Sequence, residues 1–267
     1  MKKDALIIAI FLFLAYPLIV VAAHYSQSYM IFRSRGPFVS PPGRLHIFEV
    51  ILFTHDGERL NAWWLQTMQA KKTVLYFQEN GANISFRPSR LNTFHRMGVN
   101  GLLIDYRGYG KSTGRIKKER DIYTDGVTAW NYLTIERKID PRDIIVWGRS
   151  LGGGVATEIA QHRQIAALVL ESSFNSLDDI ARRKYWYLPT KLLLKFHFDN
   201  GGKLKNIVAP VIIIHSVEDD YIPFAQAIKL FDSAPDPKYL IKTMGSHLDL
   251  FESQNEALSR LMGYLSL

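Results

Sequence analysis

One stretch constrains this chain more than any other: Ile144-Ile145-Val146-Trp147-Gly148-Arg149-Ser150-Leu151-Gly152-Gly153-Gly154-Val155-Ala156. Its first part is apolar and β-branched, which predicts a buried strand. It then turns on small residues and continues as a helix through Glu158 and Ile159. The turn Gly148-Arg149-Ser150-Leu151-Gly152 has the form G-x-S-x-G. In such a nucleophile elbow the serine adopts a strained backbone conformation, and its hydroxyl stands exposed above the sheet. The flanking glycines are needed because a Cβ at either position would meet the neighbouring strand or helix. The pattern makes Ser150 a candidate nucleophile. A glycine-rich turn carrying an incidental serine is the plainer alternative.

An activated serine needs a base within hydrogen-bond reach, and the base needs an orienting carboxylate. In elbow folds the order along the chain is serine, acid, histidine, each on a loop that follows a strand. Of the eight histidines, His162, His197 and His247 follow Ser150 outside the predicted strands, and His215 ends one. His162 belongs to the helix after the elbow, and His197 lies in an aromatic-rich segment. His247 sits in the loop Met244-Gly245-Ser246-His247 after the last predicted strand, where the base must come from. The acid is expected after the strand Val211 to His215, in a loop holding Glu218, Asp219 and Asp220. Three consecutive carboxylates cannot all be buried, so one points inward and the others are solvated. Spacing alone favours none of them. An oxyanion hole needs two backbone N–H donors: Leu151 directly after the nucleophile, and a residue near Asn80 after the strand Thr73 to Phe77. No metal-ligand spacing such as H-E-x-x-H and no phosphate-binding loop is present, so neither metal nor cofactor is expected.

The rest of the chain places these residues on a framework. At 267 residues it suits one α/β domain with an appendage. Ala5 to Ala23 carries no charge and follows Lys2 and Lys3. A helix of that length spans about 30 Å, so residues 1–24 read as an N-terminal transmembrane anchor. The basic N-terminus favours a cytoplasmic start and an extracytoplasmic catalytic domain. The rival is a signal peptide cleaved near Val21-Ala22-Ala23, which would make the protein secreted. Residues 25–44 read as a linker, broken by Gly36-Pro37 and Pro41-Pro42-Gly43. Residues 45–267 form the catalytic domain. It opens with a hairpin whose strands, Leu45 to Phe53 and Leu60 to Leu65, are joined by Asp56-Gly57. Strands then alternate with helices: strands at Thr73 to Phe77, Gly101 to Asp105, Ile165 to Leu170, Val211 to His215 and Tyr239 to Lys242, and helices at Ser89 to Met97, Asp121 to Arg137 and Leu250 to Leu265. That alternation implies a doubly wound, mostly parallel sheet. Between residues 174 and 209 the rhythm fails, and aromatics gather at Tyr185, Trp186, Tyr187, Phe196 and Phe198. This segment reads as a lid over the site, with ordinary core helices as the alternative.

Composition closes off other readings. There are no cysteines, which excludes disulfides, thiolate metal sites and a cysteine nucleophile. The net charge of +8 is spread along the chain, and no nucleic-acid-binding motif accompanies it. A solvated basic surface is the plain reading; attraction to an anionic membrane is the specific one.

Taken together, certain motifs resemble a known group. They are Asp105-Tyr106-Arg107-Gly108-Tyr109-Gly110-Lys111-Ser112, the elbow Gly148-Arg149-Ser150-Leu151-Gly152-Gly153, and Glu171-Ser172-Ser173-Phe174. His215-Ser216-Val217-Glu218-Asp219-Asp220-Tyr221-Ile222-Pro223 and Gly245-Ser246-His247 complete the set. From about Leu45 to the C-terminus the chain resembles the membrane-anchored α/β-hydrolase-domain serine hydrolases. The resemblance implies an α/β-hydrolase fold with an eight-stranded mixed sheet, and hydrolysis of an ester or thioester, including lipid-like ones, through an acyl-enzyme. The family's acid loop reads H-G-x-x-D-x-x-[IV]-P, which selects Asp219. Its oxyanion loop reads H-G-N-x-x-N, where this chain has Gln78-Glu79-Asn80-Gly81-Ala82-Asn83. The asparagines match and the His-Gly pair does not; a carboxylate at Glu79 turned toward the oxyanion would oppose it. A peptidase or amidase with the same triad, and a non-catalytic anchored binding protein, are the other functions these residues allow.

Overall fold

A computed structural model of the protein describes residues 2–267 apart from 35, 42, 250, 252 and 253, with side chains from residue 14 onward. It begins with helix α1 (Lys2–Ile31), which contains Pro17. The anchor expected over Ala5 to Ala23 falls within α1, and the side chains of residues 5–13 lie outside the described ones. Among the described residues, no helix is long and apolar enough to cross a membrane. The linker expected from residue 25 starts only after Ile31. No glycine or proline interrupts residues 24–31, and Gln27, buried against the domain, holds these last turns in place.

The domain then runs β1 (Ile47–Phe53), β2 (Arg59–Leu65), β3 (Thr73–Phe77), α2 (Pro88–Arg96), β4 (Asn100–Ile104) and α3 (Glu119–Asn131). It continues with β5 (Ile144–Arg149), α4 (Gly152–Gln161), β6 (Ala167–Glu171), α5 (Leu177–Lys184), α6 (Thr190–Leu193) and α7 (Asn200–Leu204). It ends with β7 (Val211–Ser216), α8 (Phe224–Ser233), β8 (Lys238–Thr243) and α9 (Asn255–Leu265). The strands form one eight-stranded sheet in the order β1-β2-β4-β3-β5-β6-β7-β8. β1 pairs with β2 in register from Ile47 opposite Leu65 to Phe53 opposite Arg59, across a turn in which Gly57 takes a φ of 91°. β2 is antiparallel to β4, and every later pairing is parallel.

Helices cover both faces, which is why the central strands are apolar without alternation. Leu75, Val146, Leu168 and Ile213 point to one core with Ile122 of α3, Val155 of α4 and Leu230 of α8. Val74, Ile145, Val169 and Ile212 point to the other, with Leu91 and Phe94 of α2 and Leu258 of α9. Successive residues of each strand thus feed opposite layers. α9 runs Asn255–Leu265, and the start expected at Leu250 lies outside the described residues.

The lid expected over residues 174–209 divides in two. α5 and α6 form a cap above the strand ends, with Trp186 and Leu192 exposed. Phe196, Phe198 and Leu204 are fully buried, and α7 packs on α4. The Phe198 ring fills the space beside Gly154, where a Cβ would lie 2.4 Å from it. The second half of the segment is therefore core.

Candidate active site

The elbow is built by its neighbours as much as by its own residues. β5 ends at Arg149, and Ser150 takes a φ of 50°, a left-handed conformation unusual for a residue with a Cβ. The Ser150 N–H donates to the Glu171 carbonyl at 2.8 Å, and Ser173 Oγ donates to the Ser150 carbonyl at 2.9 Å. Both polar groups of the strained residue are thus held by the end of β6 and the loop after it. A Cβ on Gly152 would lie 2.0 Å from the Phe77 carbonyl oxygen, and one on Gly148 would lie 2.3 Å from the Gly152 carbonyl. Only glycine lets α4 start this close to β3.

Two loops, after β7 and after β8, deliver the acid and base expected around the serine. His247 Nε2 lies 3.2 Å from Ser150 Oγ, and His247 Nδ1 lies 2.7 Å from Asp219 Oδ2. Asp219 Oδ1 accepts from the N–H groups of Tyr221 and Ile222, at 3.0 and 2.7 Å. Burial opposes ionisation of Asp219, but the hydrogen bonds from His247 and the Ile222 N–H outweigh it and hold the carboxyl below its usual range. The neighbouring acids do other things. Glu218 accepts from the Gly245 N–H at 2.8 Å and so braces the histidine loop, while Asp220 is exposed.

The remaining histidines lie apart from Ser150. His162 and His197 are exposed and sit beside Glu158 and Asp178. His215 is buried, with Nε2 2.8 Å from the Ile222 carbonyl, and burial lowers its pKa. Among the described residues, no group of three or more His, Asp and Glu is placed to hold a metal ion.

Asn80 and Leu151 line the same cavity as Ser150, where two backbone donors could meet an oxyanion. Glu79 turns toward cations. Its Oε1 accepts from Arg87 Nη2, and Arg149 Nη1 lies 4.0 Å away. Gln78 Nε2 donates to buried Asp105 at 3.1 Å, and its carbonyl accepts from Tyr106 Oη at 3.0 Å.

Two participants were not legible as such. Arg149 is almost fully buried and donates from Nη2 to the His247 carbonyl at 2.7 Å. Its partner Glu171 also accepts from Arg90 Nη2 and Trp147 Nε1, each at 2.9 Å. Burial works against the Glu171 charge; the Arg90 and Arg149 guanidiniums prevail and keep its pKa low. A charged residue ending the apolar run of β5 was the available signal. The other is α1, whose last turns line the cavity beside Ser150 although the sequence presents them as tether and linker.

A family model described as alpha/beta hydrolase fold matches residues 91–206. The uncharacterized protein Rv2307c of Mycobacterium tuberculosis is 32% identical over 246 residues, covering 90% of this chain and 86% of its own. Human alpha/beta hydrolase domain-containing protein 17B is 28% identical over 220 residues, covering 80% of this chain and 73% of its own. Among solved structures, the Pyrococcus furiosus esterase Pf2001 superposes with a TM-score of 0.72 at 20% identity, over 88% of this chain and 97% of its own. The acetyl xylan esterase of Paenibacillus sp. R4 gives a TM-score of 0.68 at 19% identity, over 84% and 85%. Those two likenesses concern the fold. The mycobacterial relative matches nine-tenths of this sequence, and the matching family model spans the elbow: the chain belongs to the α/β-hydrolase fold family.

Proposed function

We propose that the protein is a serine hydrolase that cleaves a carboxylic ester or thioester through an acyl-enzyme. The observation that carries this reading is the hydrogen-bonded line from Ser150 Oγ through His247 to Asp219 Oδ2. His247 Nε2 takes the Ser150 proton as Oγ attacks the carbonyl carbon. The oxygen that becomes negative is met by the N–H groups of Leu151 and Asn80, each such donor worth roughly 3 kcal/mol. The imidazolium, held by ionised Asp219, passes its proton to the leaving oxygen or sulfur, and the acyl group stays on Oγ. Water then gives a proton to His247 and attacks the acyl carbon; the acid leaves and Ser150 regains its proton. The esterase names carried by the structural neighbours support ester chemistry.

We read Ala5 to Ala23 as a membrane anchor that leaves the catalytic domain outside the cytoplasm. Its support is the uncharged run after Lys2 and Lys3. Carbonate extraction of membranes, with protease accessibility of the domain, tests this part.

The chemistry is tested with a fluorophosphonate probe on the full chain, alongside p-nitrophenyl esters, an acyl thioester and an aminoacyl amide. Wild type is expected to be labelled, Ser150→Ala not, and turnover to favour ester or thioester over amide. Folded wild type that takes no label would overturn the reading.

A further inference from the structure

A cavity of about 260 Å³ opens onto Ser150 between α1 and the cap. One wall is α5 and α6, through Leu177, Ile180, Ala181 and Leu193. The facing wall is α1, through Ala23, Gln27, Met30 and Ile31. Those four positions are spaced i, i+4, i+7, i+8, a single stripe of a helix. The stripe turned to the cavity carries no charge.

α1 is fastened along this wall. Gln27 Nε2 donates to the Leu193 carbonyl at 2.7 Å, and Gln27 Oε1 accepts from the Lys195 N–H at 2.9 Å. His24 Nδ1 lies 2.9 Å from the same Leu193 carbonyl, and Tyr16 Oη donates to the Tyr187 carbonyl at 3.0 Å. At the end of the helix, Asn80 Nδ2 donates to the Ile31 carbonyl at 3.0 Å, which ties α1 to the oxyanion loop. Next to it, the Phe32 ring packs edge-on against Phe196 with centroids 4.9 Å apart. Gln27 is buried and satisfied at both ends of its amide, as an ordered contact requires.

We propose that the last turns of α1 form one wall of the acyl-binding site, so that the helix and the cap together admit a single unbranched acyl chain and lead its carbonyl carbon to Ser150. This rests on the hydrolase reading of Ser150. Most of the lining is aliphatic and suits an apolar chain; Gln27 is already bonded to Leu193 and Lys195, and the charged Arg33 and Lys184 also border the cavity. The volume lies just under the roughly 300–1,000 Å³ typical of pockets for drug-sized ligands, which suits one chain and not a two-chain lipid. The last turns of α1 then set specificity as well as joining the domain to the first part of the helix.

The test uses full-length protein and p-nitrophenyl butyrate, octanoate and decanoate. Ala23→Phe, which puts a ring into the cavity from α1, should lower kcat/KM for decanoate at least tenfold more than for butyrate. Met30→Trp, on the same stripe, serves if Ala23→Phe does not fold. Leu18→Phe, on the exposed side of α1, should leave the profile as in wild type. A second arm works without catalysis. In a Ser150→Ala background, a fluorescent undecanoic acid is titrated, and Ala23→Phe should weaken its binding at least tenfold. If wild type hydrolyses esters but Ala23→Phe changes neither profile nor binding, the inference fails and the hydrolase reading stands. If wild type hydrolyses nothing while the fatty acid binds and Ala23→Phe abolishes binding, the hydrolase reading fails and the cavity assignment stands.

Discussion

Arg149 Nη2 donates a 2.7 Å hydrogen bond to the main-chain oxygen of His247. The residue before the candidate nucleophile thereby holds the loop that carries its candidate base. The guanidinium is buried beside Glu171 and Glu79, so its position is fixed from three sides. Arg149→Met should lower kcat for a short-chain ester at least tenfold with a smaller change in KM, because the loop loses its tether while the cavity keeps its lining. Removing one member of a buried ion pair also costs about 3–5 kcal/mol of stability. Arg149→Lys should recover part of the rate. Steady-state kinetics with a urea unfolding curve check both effects; a wild-type kcat in Arg149→Met would contradict a positioning role.

Glu79 stands where the family pattern has glycine, and its carboxylate is paired with Arg87. A charge committed to that pair does not face the oxyanion. Glu79→Gln should therefore leave kcat/KM for a short ester within about threefold of wild type. Stability should fall by about 1–3 kcal/mol, since a charge-assisted bond is lost at a mostly buried site. A tenfold rise in kcat would mean that the carboxylate opposes the oxyanion after all.

Asp105, buried at the end of β4, gives a pH signature. Burial raises its pKa from 3.8 to about 6, although the Ile84 N–H, Asn61 and Gln78 all donate to it. The fold therefore holds a proton there that the unfolded chain releases between about pH 4 and 6. Across that window the stability contributed by Asp105 falls as pH rises, by up to about 3 kcal/mol, and stays lowered above it. Asp105→Asn has no such proton to lose. Relative to wild type it should gain up to that amount between pH 4 and pH 7, whatever its fixed offset. Urea unfolding of both proteins at the two pH values measures the difference; parallel curves would contradict the shift.

What the sequence determined by itself was local. Glycine at 148 and 152, the β-branched run before them and the strand–helix alternation are short-range consequences of sterics and periodicity. They gave the elbow, the parallel sheet and its hairpin edge. The loop after the last strand singled out His247 for the same reason, because chain order is readable without coordinates. The spacing of Glu218, Asp219 and Asp220 could not say which acid faces His247; the family pattern chose Asp219, and the backbone donors of Tyr221 and Ile222 hold its carboxylate there. The direction of Glu79, the clamp from Arg149 to His247 across 98 residues and the fastening of Gln27 to Leu193 across 166 came only with the tertiary structure. Each joins segments far apart in sequence, and a side chain's partner at that range depends on how the layers pack. Residues 25–31 read in sequence as part of a linker, and only their packing against Leu193 and Lys195 brings them to the cavity beside Ser150.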